Sequence, residues 1–304
     1  LNFSSHNRAS SRWRAIGYFC AAAVLVGLSA CSPRQLLINS LADELASQGH
    51  AAENDLVLAH EASAFYLKLS ESLLKQTPGN LKLSESVAGG FTQYAFAFVS
   101  FEADKIEATD AKAAQKLRER AARLYRRAHD HAMAALEQQT PGFAKALNSP
   151  KPSDWPRLTD AQVGIAYWAA ASWGGLISLS KDSPDTVADL PVAVRLARLA
   201  FEKNPRHGDG ALASLMGSFE AARPGGSPQQ ASVYFDRAID IAGGKNAGAL
   251  VAKAESIALP AGNREAFEAL LHQALAASAA RPGLDNDIMR ERAQWLLEHA
   301  GDLF

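Results

Sequence analysis

From about residue 53 to residue 303, apolar side chains recur at intervals of three, four and seven, and Gly, Pro and Asn cluster wherever that rhythm stops. The interval matches the 3.6 residues of an α-helical turn, which stacks positions i, i+4 and i+7 on one face. Alternating β-branched runs are scarce, so no strand is predicted. The rhythm predicts helices over 34–48, 53–76, 80–102, 109–139, 159–180, 184–203, 207–223, 227–242, 246–258, 262–279 and 284–303. Between them lie turn signals such as Thr77-Pro78-Gly79-Asn80, Asn204-Pro205, Pro224-Gly225-Gly226-Ser227-Pro228, Gly243-Gly244 and Arg281-Pro282-Gly283. The Pro-rich stretch 148–156 is the best candidate for an internal boundary, and it is read as a long loop within one all-helical domain spanning 31–304.

A repeat lies inside this pattern. Ala193, Ala197, Ala200 and Pro205 have the spacing of the second helix of a tetratricopeptide unit, where small residues let helices approach and a proline ends the unit. Degraded copies follow at Ala231, Phe235 and Ala238 and at Phe267, Leu271 and Ala274, and an earlier one stands at Ala121, Tyr125 and Ala128. Strides of 38 and 36 residues between the later copies exceed the standard 34. The predicted fold is all-α, an irregular array of helical hairpins with cryptic tetratricopeptide-like repeats in an α/α superhelix. Gly243 stands where a terminating proline would be, which leaves the repeat count open.

The N-terminus has a different pattern. Arg8, Arg12 and Arg14, with no acidic residue nearby, precede an uncharged run from Ala15 to Gly27. These are the charged and apolar regions of a signal peptide over 1–30; thirteen residues of helix span only ~20 Å, short of a ~30 Å hydrocarbon core. The run ends in Leu28-Ser29-Ala30-Cys31, which resembles a bacterial lipobox, so Cys31 is expected to be acylated and to become the mature N-terminus. Two or three acyl chains would hold the protein on a membrane facing the periplasm. Ser32 after the cysteine implies the outer membrane under the sorting rules of such lipoproteins. Cys20 is the only other cysteine and leaves with the signal, so no disulfide is expected. The mature chain carries 28 basic and 32 acidic residues, a balance of −4 that gives no basic footprint for nucleic acid.

Several blocks in order, with a lipobox in front, resemble the TatT family, the T component of TRAP transporters. They include Ala59-His60-Glu61-Ala62, Leu73-Leu74-Lys75-Gln76-Thr77-Pro78-Gly79-Asn80, Gly89-Gly90-Phe91-Thr92-Gln93-Tyr94-Ala95-Phe96, Arg120-Ala121-Ala122-Arg123-Leu124-Tyr125-Arg126-Arg127-Ala128, Ala166-Tyr167-Trp168-Ala169-Ala170-Ala171-Ser172-Trp173-Gly174 and Tyr234-Phe235-Asp236-Arg237-Ala238. The resemblance implies a non-enzymatic accessory lipoprotein that can assemble as a homotrimer with pores. It would bind the periplasmic solute-binding protein of a TRAP transporter and pass it a hydrophobic or organic-acid ligand. The alternative is a general tetratricopeptide-type scaffold for envelope or outer-membrane complexes, which would hold peptides or helices in a concave groove.

Three constellations stand out. Phe91, Tyr94, Phe96 and Phe98 cannot all face one side of a helix, so some must meet a second surface such as a pore, a pocket or a neighbouring subunit. Tyr167, Trp168 and Trp173, with Gly174 and Gly175, could line a ligand, but a helix apolar all round is more often core. Lys116, Arg120, Arg123 and Arg127 form one stripe that could dock an acidic partner or simply be solvated. His129 and His131 point about 200° apart and cannot chelate one metal together. No H-E-x-x-H, G-x-S-x-G, Walker or Rossmann motif occurs, so no catalytic residue, metal or cofactor is assigned.

Overall fold

The computed structural model describes residues 40–45 and 55–304; the signal segment and the Cys31 lipidation site lie outside the described residues. Residues 40–45 are helical and are followed by α1 (Leu56–Leu74), α2 (Leu81–Ala95), a π-helical turn (Phe96–Ser100), α3 (Phe101–Ile106) and α4 (Ala111–Gln139). Next come α5 (Phe143–Leu147), α6 (Val163–Ser178), α7 (Pro184–Ala188), α8 (Leu190–Lys203), α9 (Ala211–Ala222) and α10 (Pro228–Ile241). The chain ends with α11 (Ala247–Lys253), a second π turn (Ala254–Ala258), α12 (Arg264–Ala280), α13 (Leu284–Glu298) and α14 (Ala300–Leu303). No strand occurs among the described residues.

The turn signals start helices because their side chains accept the first free backbone N–H groups. Asn80 accepts from Leu83, Asp110 from Ala113, Ser227 from Gln230, Asn246 from Ala249 and Asn263 from Ala266. Four hairpins follow: α2 with α4, α6 with α8, α9 with α10, and α11 with α12. Each second helix carries one copy of the repeat spacing. All twelve residues of those copies, Ala121/Tyr125/Ala128, Ala193/Ala197/Ala200, Ala231/Phe235/Ala238 and Phe267/Leu271/Ala274, are between 0% and 6% exposed. The small residues are therefore the packing seam, and the molecule is an all-α array of helical hairpins.

Three segments differ from the predicted boundaries. The helix expected over 80–102 is broken by the first π turn, where Phe101 N–H bonds to Phe96 C=O, five residues back. The helix expected over 246–258 ends in the second, closed by Leu259 N–H on Ala254 C=O at 2.9 Å. The span 184–203 divides at Asp189, because Pro191 lacks the N–H that would continue the ladder. The periodicity also misses the helix Phe143–Leu147, since Pro141-Gly142 before it reads as a turn; its Phe143 and Leu147 are fully buried.

The loop 148–156 is tied down rather than free. Trp155 donates its indole N–H to Ser149 C=O at 2.9 Å, and the Arg195 guanidinium lies 4.3 Å over the Trp155 ring. One apolar core continues past it, joining Phe143, Leu147 and Leu158 to α6, α8 and Phe219 of α9. Beyond the fourth hairpin, α13 packs on α12 and reaches back to α1, so the two ends of the array touch.

Candidate functional site

The contact between the ends is built around the two π turns. Each inserts an extra residue into a helix, a device often found at functional sites because it redirects the side chains that follow. At the two ends of the first, Phe96 and Phe101 point toward α13, where the Arg292 guanidinium lies 5.4 Å from one ring and 5.1 Å from the other. Arg292 also holds Glu255 of the second π turn, at 2.6 and 3.1 Å, and Asp104 of α3 at 3.2 Å. With only 12% of its side chain exposed, Arg292 joins both π turns. Beside it, Lys105 bridges Glu102 at 2.8 Å and Glu291 of α13.

Phe91 and Tyr94 ahead of the π turn, and Phe98 within it, turn toward α1 and α4. Tyr94 is buried, with its hydroxyl 3.0 Å from His60 Nε2, and Phe98 stacks on the His60 ring at 4.8 Å. Phe91 lies under the Arg127 guanidinium at 4.8 Å and stacks with His131. These aromatics pack against the chain's own helices, α1 and α4 on one side and α13 on the other.

Glu71 anchors this side. Its side chain is 4% exposed, and it accepts hydrogen bonds from Arg127 (Nε at 2.5 Å), Lys68 (2.6 Å) and His131 (2.9 Å). Burial alone would raise its pKa; the hydrogen bonds from Arg127, Lys68 and His131 outweigh that and hold it at about 2. The cationic stripe is therefore not uniform. Arg127 is engaged by Glu71, and Arg120 leans over the Tyr94 ring at 5.8 Å. Lys116 and Arg123 are exposed and form no ion pair among the described residues.

The α6 aromatics separate. Trp173 is 7% exposed and contacts the His129 ring at 4.4 Å, while burial pushes the His129 pKa down. Tyr167 and Trp168 are half-buried and meet edge to face; burial pushes the Tyr167 phenol up to about 12. The glycines around them are contact points: a Cβ at Gly89 would fall 2.7 Å from the Trp168 ring, one at Gly175 2.7 Å from Tyr125 and one at Gly174 2.9 Å from Phe219. Gly174, Gly175 and Trp173 thus sit within helix packing. His129 faces α6 and His131 faces α1, so these histidines serve different helices.

Two clefts open beside these groups. One, of about 160 Å³, lies between α1, the first π turn and α13, lined by apolar Leu56, Val57, Phe98 and Phe101 and by polar His60, Glu102 and Glu291. The other, of about 460 Å³, lies between α4, α6 and α7, with Trp173 and Leu176 beneath Arg126, His129 and three aspartates. Sequence reasoning missed Glu71, Arg292, Glu255 and His60. The only signal for Glu71 was a carboxylate on the inward face of α1, in register with Leu67 and Leu74.

Residues 52–304 match the sequence model of the TAtT family, described as the TRAP transporter T-component. A protein of Treponema pallidum (strain Nichols), described as uncharacterised, is 29% identical over 268 residues, covering 83% of this chain and 81% of that one. Among solved structures, a thermophilic TPR protein of Thermus thermophilus superposes with a TM-score of 0.47 at 17% identity, over 80% of this chain and 95% of its own. With four hairpins, buried repeat seams and a family match across nearly all the described residues, this chain belongs to the TRAP transporter T-component family.

Proposed function

We propose that the protein is an accessory lipoprotein, anchored through Cys31 to the periplasmic side of the outer membrane, that docks the solute-binding protein of a TRAP transporter and exchanges a ligand with it. The observation that carries this reading is the family match over residues 52–304. The lipobox-like Leu28-Ser29-Ala30-Cys31 supports the anchor. Assembly as a homotrimer is part of the same reading.

The cleft between α1, the first π turn and α13 is the proposed ligand contact. Most of its lining is apolar, and its carboxylates, Glu102 and Glu291, already hold Lys105. Of the two ligand chemistries, this environment suits the hydrophobic one, since no unpaired Lys or Arg among the described residues stands there to receive a carboxylate. At about 160 Å³ it would take the end of a ligand rather than a whole one.

The test is cross-linking in intact envelopes, gentle solubilisation, capture of the lipidated protein, and mass spectrometry of the proteins and small molecules recovered. Recovery of a TRAP-type solute-binding protein, with an apolar small molecule lost in a Phe98→Asp variant, supports the proposal. Capture of envelope-assembly factors without any solute-binding protein contradicts it.

A further inference from the structure

The outer face of α1 carries a seam that is exposed among the described residues. Leu58, Ala62, Phe65, Leu69 and Ser72 follow one another at intervals of four and three, the spacing that keeps side chains on one line of a helix facing another helix. Phe65 is 74% exposed, Leu58 50% and Leu69 44%, whereas Ala59, Leu67, Ser70, Leu73 and Leu74 on the opposite face are buried in the array. Scattered exposed apolar residues are ordinary; four in register along one helix are not.

The seam is complementary to itself in the antiparallel sense. When two copies of α1 are laid antiparallel about a twofold axis between Ser63 and Ala64, Leu58 meets Leu69 of the second copy and Phe65 meets Ala62. A large side chain thus faces a small one. The same register places Glu61 beside Lys68 of the second copy, and by symmetry Lys68 beside its Glu61. Glu61 is exposed and forms no ion pair among the described residues, and Lys68, which holds Glu71 at 2.6 Å, is still 59% exposed and can share its ammonium with a second carboxylate. Charge and shape select the same alignment, and a one-step slip of the register loses both.

We propose that α1 pairs antiparallel with α1 of a second copy of this chain, through Leu58, Ala62, Phe65 and Leu69 and flanked by two symmetric Glu61–Lys68 ion pairs. The seam spans roughly 17 Å of helix, eleven steps of 1.5 Å. It is a small contact by the standard of obligate dimers and hence reversible. Because the interface is twofold, it doubles whatever assembly the chain forms through other faces.

Two experiments on the chain from residue 32, which retains every described residue and no thiol, test this. The mass in solution, read by sedimentation at about 100 μM, should fall by a factor of two in Phe65→Ser. At dilution, where both chains are unpaired, that exposed substitution should leave the thermal midpoint unchanged. In the second, an oxidised equimolar mixture of Ala62→Cys and Phe65→Cys chains should form the mixed disulfide faster than either variant cross-links with itself, a result that reports the register directly. A mass unaffected by Phe65→Ser, or cross-linking no faster in the mixture than in the separate variants, overturns the pairing. So does a wild-type chain that stays monomeric yet binds phosphatidylethanolamine–phosphatidylglycerol vesicles in a Phe65-dependent way, which would assign the stripe to a bilayer.

Discussion

Glu71 shows how much of the site depends on single groups far apart in sequence. It is a buried carboxylate that would be unfavourable alone, and it is made stable by Arg127 and His131 from α4 and Lys68 from its own helix. Its pKa in the folded chain is depressed, to about 2, below the ordinary value of 4.5. The stabilisation it provides is therefore present above about pH 4.5 and is lost as pH falls from there toward 2. Glu71→Gln should lower stability at neutral pH by roughly 1–3 kcal/mol. It should also flatten the acid limb of the curve between pH 4.5 and 2, as measured by urea unfolding at a series of pH values; an unchanged acid limb would show that Glu71 does not govern it. The sequence made the Lys116–Arg127 stripe visible, since periodicity exposes a helix face. It could not show that Arg127 alone would find a buried carboxylate 56 residues away, because nothing local marks which cation a tertiary contact will select.

Among the elements, the second helices of the hairpins were the most legible. Their small and aromatic residues have to sit where helices cross, and the 4-and-3 spacing records that need directly. Phe235 and Gly175 test the packing from opposite directions. Phe235 is fully buried, and Phe235→Ala should reduce stability by about 3–5 kcal/mol through the cavity it leaves. Gly175→Ala adds a methyl where Tyr125 already stands, and a loss of about 1–3 kcal/mol is expected. Thermal or denaturant melts check both, and a neutral Gly175→Ala would mean that α4 and α6 can separate at that crossing. The π turns, by contrast, left no trace in the pattern. One inserted residue shifts the periodicity by about 100°, which in Phe91–Phe101 looks only like too many aromatics for one face. That surplus does signal a second surface, but the inserted turn that provides it is visible only in three dimensions.

Across the whole molecule, the defining feature is that the array's two ends meet. Arg292 of α13 links Asp104 near the first π turn to Glu255 in the second, and Lys105 adds a bridge to Glu291. A ligand in the proposed cleft bordered by α1, Phe98 and Ile288 would touch both ends at once and would favour the array with its ends joined. Arg292→Met keeps the apolar stem over Phe96 and Phe101 but leaves Glu255 without that partner. It should lower stability by roughly 3 kcal/mol and raise amide exchange in α13 more than in α8; uniform exchange along the chain would show that the node is not a local clamp.

The proposed docking to a solute-binding protein is tested most directly by a calorimetric titration of the purified chain with the solute-binding protein of a TRAP transporter from the same cell. A saturable isotherm is predicted, with affinity reduced by substitutions at the exposed cations Lys116 and Arg123. A flat isotherm across temperatures, with both proteins folded, would contradict it.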